Sequence, residues 1–400
     1  LKNMYNSDKS YKSTADKIIA QADLFMQQPL TYNYDDNLRT LNTANSAKDR
    51  MLCYGFAYRI TGNTKYAEAA YSDILSLSEF PDFNTSHIID TATYTFASAI
   101  AYDWLYDGFT DEQRKAAQIL CRRCADDLSE GYYGGIVGTA LRTTGGWSAF
   151  KEGSNYNSIV NAGAICAAAA LLDTDTEKYS EIISLGLRGI EYSLMNFAPM
   201  GGWDESVGYW NYAMEFLLYA LKTVDTSFGT MYNLDAAMGL SDTLKFAEGC
   251  IGVDGIYNFH DGASGNFNSL SSFLCLADIF KDEYAAALRL HDLNYSLAEP
   301  GIFDVLFYKK SEALPDKNTS CYIKGTELFS VSDKSKTFGG NFYFAAHFGT
   351  TSGYHQHSDC GSFVLDINGE RFAEDLGGDN YSLQNESGYS QSMLYRYREE

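Results

Sequence analysis

The stretch FASAIAYDWLYDGFTDEQRKAAQILCRRCADDL, Phe96–Leu128, predicts two helices joined by a short connection. Thr110 and Gln113 have the spacing of a capping box, in which each side chain bonds the backbone N–H of the other residue where a helix begins. Apolar residues in the first half recur at the three- and four-residue spacing of a helix with a buried face: Phe96, Ala99, Ile100 and Trp104. The stretch therefore predicts a helical hairpin.

The same apolar spacing extends from about residue 10 to residue 295, and the whole chain has only 5 prolines. Glycine-rich breaks separate the helical segments, as at 201–202 and 262–265. Many helices of similar length joined by such loops favour an all-helical toroid or solenoid over a bundle.

After about Pro300 the period changes to alternation, as at Phe342, Phe344 and Ala346, and Asn368-Gly369 is a strong hairpin signal. Chains longer than about 250–300 residues usually divide into domains. We assign residues 1–298 to a helical domain and residues 299–400 to an antiparallel sheet domain. Because the chain stops without a closing turn or helix, we expect the sheet domain to be truncated at its C-terminus.

Charge and composition exclude some functions. The net charge of −22 argues against nucleic-acid binding, which needs a basic surface. No apolar run reaches the roughly 18–20 residues that cross a bilayer, so no membrane partner is expected. The aromatic content of 15% suits a cleft that stacks on sugar rings. The chain begins at Leu1 rather than Met and has no signal-peptide core, so we expect that a leader or an earlier segment has been removed.

The eight cysteines are scattered along the chain, and we interpret most of them as buried thiols. Cys121 and Cys124 have the spacing of a redox or zinc pair, but they lie within a helical pattern. We therefore favour two small apolar residues on helix faces over a functional pair.

Two of the six histidines lie in GYHQHSDCGSF, Gly353–Phe363. His355 and His357 would share one side of an extended backbone, where two imidazoles can bind one metal. In the hairpin at Asn368-Gly369, Asp375 falls opposite about Ser362, so a fold-back would bring Asp375 to His357. The spacing alone leaves two alternatives open: a metal or catalytic site, and histidines that close a strand end with hydrogen bonds.

Two further stretches combine polar and aromatic residues at helix starts. Glu152–Asn161 places three asparagines at the start of an alanine-rich helix, where they could cap the helix or bind a substrate carboxylate without a fixed charge. Gly201–Tyr212 places Asp204 and Glu205 among four aromatic rings, and core packing alone does not explain the two carboxylates.

In their order and spacing these stretches resemble the heparinase II/III-like polysaccharide lyases, which join an N-terminal (α/α) toroid to a C-terminal antiparallel β-sandwich. The resemblance covers most of the chain through five segments: Ile89–Asp107, Ser154–Asn157, Gly201–Tyr212, His355–Phe363 and Gly369–Tyr381. It implies a multidomain protein with a toroid built as an incomplete barrel of helical hairpins, followed by a β-sandwich. It also implies an acidic polysaccharide or oligosaccharide as the substrate.

Relatives of this kind cleave a uronate polymer by β-elimination, in which a base removes the proton alpha to the carboxylate and the bond to the β-oxygen breaks. The resemblance implies that Asn155 neutralises the carboxylate, that Tyr209 is the base and acid, and that His355 reaches into the cleft as a third catalytic residue. Tyr212 is the runner-up for the base. The residues expected to bind substrate are Tyr156, Trp203, Glu205, Tyr212, Arg142 and Tyr381.

The resemblance also implies one structural metal, zinc, held by His357 and Asp375, and no organic cofactor. The third ligand of relatives, a histidine beyond the next strand, would fall after Glu400. A second departure is Tyr156, which stands where several relatives have a histidine.

Although the net charge of the chain is negative, basic side chains could line the cleft and bind a polyanion there. The candidates are Arg142, Arg122, Arg123, Lys151, Arg396 and Arg398. Two other functions remain open: a uronate C5-epimerase on the same scaffold, and a non-catalytic protein that binds acidic carbohydrate. The free thiols favour a reducing compartment, whereas a polymer substrate and the missing Met favour a bacterial-type extracytoplasmic location, which we slightly prefer.

Overall fold

The computed structural model describes residues 1–33, 39–132, 153–252, 255–262, 270–294, 298–310, 319–333, 341–350, 355–358 and 360–377. The helices in these ranges are α1 Lys2–Ser7, α2 Lys9–Phe25, α3 Leu41–Thr61, α4 Lys65–Ser78, α5 Ile88–Trp104, α6 Asp111–Tyr132, α7 Asn155–Leu171, α8 Thr176–Leu194, α9 Val207–Phe228, α10 Thr243–Gly249, α11 Ser272–Phe280, α12 Glu283–Asn294 and α13 Ile302–Leu306. The strands are β1 Thr319–Ile323, β2 Leu328–Asp333, β3 Phe342–His347, β4 Phe363–Ile367 and β5 Glu370–Ala373. The predicted order, helices first and an antiparallel sheet second, is confirmed.

Four helices, α3, α5, α7 and α9, pack in succession and form the inner layer of the helical part. The outer layer packs around them, with α2 and α4 on α3, α6 on α5 and α8 on α7. Because α5 and α7 contact inner neighbours as well as the outer layer, they are buried on almost every side. The predicted apolar stripe is therefore only one of several buried sides of α5.

The predicted helical hairpin is the pair α5 and α6. The backbone N–H of Thr110 donates to Gln113 Oε1 (2.9 Å), and the N–H of Gln113 donates to Thr110 Oγ1 (3.3 Å), which confirms the capping box. The neighbouring pair α5 and α7 approaches closely because of a glycine: a Cβ on Gly163 would lie 2.5 Å from the carbonyl oxygen of Ala92.

All eight cysteines are free thiols, and six of them are buried. Cys121 and Cys124 lie in the core on α6, as the helical pattern predicted. Burial raises the pKa of the Cys121 thiol to about 12 and the pKa of Cys124 well above its ordinary value. Cys321 is partly buried, and Cys360 is exposed.

The five strands form one antiparallel sheet in the order β1-β2-β3-β4-β5. The predicted hairpin between β4 and β5 is present, and Asn368 (φ 56°) and Gly369 (φ 89°) both have the positive φ that such a two-residue turn needs. One face of the sheet is buried against α10. The other face exposes large rings, among them Tyr322 (50% exposed) and Phe363 (47%). A second sheet over this face, as in a β-sandwich, stays a prediction.

A short segment, residues 255–262, holds the sheet against the helices, and we call it the docking segment. Arg371 on β5 donates to the carbonyl oxygen of Ile256 (2.9 Å) and is paired with Asp366 (2.7 Å). The hydroxyl of Tyr257 donates to the carbonyl oxygen of Ser362 (2.7 Å). These bonds join the docking segment to β5 and to the residue directly before β4.

The short helix α13 follows the predicted domain boundary at 298/299 but packs on helices α2, α3 and α11. A buried ion pair fixes it: Arg289 of α12 binds both carboxylate oxygens of Asp304, at 3.0 and 2.7 Å. The first strand begins only at Thr319. The boundary itself stays a prediction. In the part of the chain that the structure describes, no helix is both long and apolar enough to cross a bilayer.

We expect Asp304→Ala to lower the free energy of unfolding by about 3–5 kcal/mol, because it leaves the guanidinium of Arg289 buried without its charge partner. The measurement is unfolding in urea. Asp16→Ala is the control, since its ion pair with Lys12 is about half exposed (48% and 47%) and should contribute less than about 1 kcal/mol. Equal losses in the two variants would contradict the assignment.

Candidate functional site

Residues from four separate segments meet where the sheet docks on the helices. Asn155 is the first residue of α7, and Glu205 and Tyr209 flank the start of α9. His355 comes from the segment that precedes β4, and Asp261 comes from the docking segment. The three predicted catalytic residues, Asn155, Tyr209 and His355, are linked to one another through Glu205 and through ring stacking.

Glu205 lies at the centre of this group and is only 6% exposed. Its Oε2 accepts hydrogen bonds from the indole N–H of Trp203 (3.0 Å) and from the backbone N–H of Asn155 (3.3 Å). Its Oε1 has no hydrogen-bond partner among the described residues and lies 3.9 Å from His355 Nε2. Burial raises the pKa of Glu205 to about 7, although the charge of a protonated His355 opposes the shift. Glu205 can therefore carry a proton near neutral pH.

Asn155 is 3% exposed, and its side-chain oxygen has no hydrogen-bond partner among the residues described. Neither Ser154, which precedes the helix, nor Asn155 caps α7 through its side chain, so the capping interpretation does not account for this residue. An amide buried at a helix start, beside a carboxyl that can be neutral, is suited to hold an anionic group.

Tyr209 stacks on the imidazole of His355, with ring centroids 3.9 Å apart and an angle of 20° between the planes. Tyr212, the runner-up, packs its ring edge-on against Phe216 instead. Burial raises the pKa of Tyr212 to about 12, and the nearby Lys48 ammonium only partly opposes this. The arrangement therefore favours Tyr209 over Tyr212 as the residue that meets His355.

His355 and His357 share one acidic partner that sequence reasoning missed. His355 Nδ1 lies 2.9 Å from Asp261 Oδ2, and His357 Nε2 lies 2.8 Å from Asp261 Oδ1. The expected extended backbone is wrong, because His355 has a φ of 60° and lies in a turn. The signal that could have found Asp261 is the pair His260-Asp261 directly before a glycine-rich break.

Four of the six histidines gather at this junction. The backbone N–H of His357 donates to His260 Nδ1 (3.1 Å). The ring of His260 packs edge-on against that of His347, at 4.5 Å between centroids. His260 and His355 both have a positive φ, as does Ser206 (86°) beside Glu205. Backbone conformations of this kind are costly for residues other than glycine and often mark functional sites.

The predicted metal ligands have other partners. The Asp375 carboxylate accepts hydrogen bonds from the hydroxyl of Ser362 and from the N–H of Gly377 (2.8 Å), while His357 Nε2 binds Asp261. The predicted pairing of Asp375 with Ser362 across the hairpin is confirmed. No group of three His, Cys, Asp or Glu side chains could hold a metal ion within the described ranges. The metal stays a prediction.

The remaining predicted substrate contacts differ in exposure. Tyr156 is 37% exposed beside Asn155, whereas Trp203 is fully buried and holds Glu205 rather than offering a stacking surface. Arg123 donates to the carbonyl oxygens of Ser78 and Phe80, so its guanidinium is bound by the backbone at the end of α4. Other predicted contacts lie outside the described residues: Arg142, Tyr381, Lys151, Arg396 and Arg398.

No family model matches the sequence, and no curated protein matches it. Solved structures do match. The heparinase III structure of the BT4657 gene product aligns over 95% of this chain with a TM-score of 0.53 at 14% identity. The chain has the heparinase III fold. A heparan sulfate lyase, HepC from Pedobacter heparinus, aligns over 97% of this chain with a TM-score of 0.53 at 15% identity.

This chain spans 60% and 59% of the length of those two heparinase structures. At such low identity the likeness supports the fold and not the residues of the site. The heparinase fold confirms the predicted toroid followed by an antiparallel β-domain.

We expect Glu205→Gln to remove a pH-dependent component of stability. The pKa of Glu205 is 4.5 when unfolded and about 7 when folded, so the folded state holds the proton more tightly. Stability from this group is present below about pH 4.5 and is lost as the pH rises through about 7, by about 3 kcal/mol. Between about pH 5 and pH 8 the variant should therefore gain stability relative to the wild type in urea unfolding.

The control for this experiment is Glu181→Gln, because Glu181 is exposed on α8 and its substitution changes the charge equally. Parallel pH profiles for the wild type and Glu205→Gln would show that Glu205 is not buried as a proton-holding group.

Proposed function

We propose that this chain belongs to a polysaccharide lyase that cleaves a uronate-containing polysaccharide or oligosaccharide by β-elimination. The observation that carries the proposal is the group formed by Asn155, Glu205, Tyr209 and His355 at the junction of the helices and the sheet. It combines an amide whose oxygen has no hydrogen-bond partner among the described residues, a carboxyl with a raised pKa, a phenol and an imidazole. The heparinase III fold supports the same reaction class.

The chemistry requires three functions from the protein. The proton alpha to a uronate carboxylate is weakly acidic while the carboxylate is charged, so the site must first neutralise that charge. A base must then take the proton, and an acid must give a proton to the oxygen that leaves. Each function needs a group that is in place before the reaction, because reorganising solvent would add to the barrier.

We assign the neutralising function to the Asn155 amide together with Glu205 in its protonated form and His355. Both neighbours flank Glu205: the backbone N–H of Asn155 donates to its Oε2 (3.3 Å), and His355 Nε2 lies 3.9 Å from its Oε1, which lacks a hydrogen-bond partner among the described residues. A protonated carboxyl can donate a hydrogen bond to an anionic ligand, and its pKa of about 7 makes that form available near neutral pH.

We assign proton transfer to Tyr209. Its phenolate oxygen takes the proton from the carbon alpha to the carboxylate, the electron pair of that C–H bond forms the new C=C bond, and the bond between the β-carbon and the glycosidic oxygen breaks. The phenol then returns the proton to the leaving oxygen. The products are an unsaturated uronate and a new chain end, so atoms and charge balance without a co-reactant.

The sugar chain itself would lie along Tyr156, which is exposed beside Asn155, and extend toward Tyr212 and the predicted contacts Arg142 and Tyr381. We keep zinc, held by His357 and Asp375, as a proposal for a structural ion. No step of the reaction depends on it.

We expect Tyr209→Phe to lower kcat by about 10²–10⁴-fold with little change in KM, because the proton-transfer group is lost while the ring remains. The measurement is the ultraviolet absorbance of the unsaturated product from a panel of acidic polysaccharides. Tyr212→Phe is the matched control and should change kcat by less than about tenfold. If Tyr212→Phe has the larger effect, the base is Tyr212. If the wild type exchanges the alpha proton with solvent without forming the unsaturated product, the chain is an epimerase.

We expect Asn155→Asp to lower kcat/KM by about 10²-fold or more, because it places a second negative charge against the substrate carboxylate. An aspartate in the first turn of a helix is compatible with the helix dipole, so the variant should fold. Asn155→Ala is the comparison, since it removes the amide without adding charge and should lose less activity. A larger loss in the alanine variant would contradict the neutralising role.

A further inference from the structure

We propose that Asp261 is the positioning residue that fixes the ring orientation and the tautomer of His355. The inference rests on the proposed lyase function for its catalytic consequence, but its structural part can be tested without activity. Asp261 lies outside the stretches that the sequence singled out as catalytic, and it belongs to the docking segment rather than to the segment that carries the histidines.

The geometry is that of one carboxylate between two imidazoles. Asp261 Oδ2 lies 2.9 Å from His355 Nδ1, Asp261 Oδ1 lies 2.8 Å from His357 Nε2, and the Asp261 side chain is only 1% exposed. The backbone adds a third bond, since the N–H of Asp261 donates to the carbonyl oxygen of His355 (3.2 Å). The docking segment thus binds His355 through both the side chain and the backbone N–H of Asp261.

A carboxylate only accepts hydrogen bonds, so each ring nitrogen that faces Asp261 carries a proton. His355 is therefore protonated on Nδ1, which leaves Nε2 as the ring nitrogen directed at the rest of the site. That Nε2 lies 3.9 Å from Glu205 Oε1, on the side of the ring away from Asp261. The bond from Nδ1 to Asp261 thus determines that Nε2, and not Nδ1, faces the group around Glu205.

The bond to Asp261 also fixes the plane of the ring. The imidazole of His355 stacks on Tyr209 with only 20° between the planes, and a rotation about its Cβ–Cγ bond would break both the stacking and the bond to Asp261. A small change in ring orientation would therefore disturb Tyr209, which we assign to proton transfer. A small displacement of a catalytic group commonly lowers the rate of an enzyme by a large factor.

Other acidic side chains of the junction do not offer the same contact. Asp375 is engaged by Ser362 and Gly377, and Asp366 is paired with Arg371. Glu205 meets His355 on the opposite nitrogen and at the longer distance of 3.9 Å. Among the described residues, Asp261 is the carboxylate within hydrogen-bond distance of His355 Nδ1.

The test is Asp261→Asn in the full chain, with nitrogen-15 labelling of histidine and NMR of the imidazole nitrogens above the ordinary imidazole pKa of about 6.5. Signals of His355 are identified by their loss in His355→Ala. An asparagine presents one acceptor and one donor, so it cannot accept from both rings. We expect the wild-type protein to show His355 protonated on Nδ1, and the variant to lose that form or mix it with the other tautomer.

In the same variant we expect kcat to fall by about 10²-fold or more with a much smaller change in KM. Asp366→Asn is the matched control, because Asp366 is a fully buried carboxylate of the same junction that contacts Arg371 and not His355. It should loosen the junction and lower the melting temperature, yet keep the wild-type tautomer and kcat within about threefold.

Two results would overturn the inference: the wild-type tautomer kept in Asp261→Asn, or a wild-type His355 protonated on Nε2. A loss of kcat as large in Asp366→Asn as in Asp261→Asn would also overturn it, since a merely structural role would then suffice. If the tautomer changes as expected but the wild type is inert on every uronate polymer, the positioning role stands and the lyase function fails.

Discussion

The site depends on one constraint, the sharing of the Asp261 carboxylate between His355 and His357. The helical part supplies Asn155, Glu205 and Tyr209 from helix starts that are rigidly packed in the core. The β-domain supplies the histidines from a turn, which has no regular hydrogen bonding of its own to hold it. A buried acceptor between the two rings gives that turn a defined position, and it costs little because both oxygens are satisfied.

This constraint also explains why the docking segment makes so many polar bonds. Arg371, Tyr257 and Asn258 bond across the same junction, with the last donating to the carbonyl oxygen of Asp375 at 3.1 Å. Apolar packing alone would let the sheet slide on the helices, because it has little directional preference. Directional hydrogen bonds between buried groups favour one placement of the sheet on the helices. A site whose residues come from both units needs that single placement.

Local signals in the sequence predicted local structure well. The capping box at Thr110 and the turn at Asn368-Gly369 form as expected because each depends on residues only a few positions apart. The grouping of Asn155, Tyr209 and His355 was implied by the order of motifs and not by any spacing. Asp261 could not be found this way, since its partners are about 95 residues away and no short pattern relates them. The extended backbone expected at His355 failed for a related reason: the contact with Asp261 overrides the local preference of the chain.

The distribution of the thiols has a practical consequence. Cys121 and Cys166 have pKa values of about 12 in the folded core, so they remain protonated and shielded from reagents near neutral pH. Cys360, by contrast, is exposed only three residues beyond His357. Brief treatment of the folded protein with a thiol-reactive dye would therefore label mainly the turn that carries the histidines. The molecule contains its own attachment point for an optical probe of how the β-domain meets the toroid.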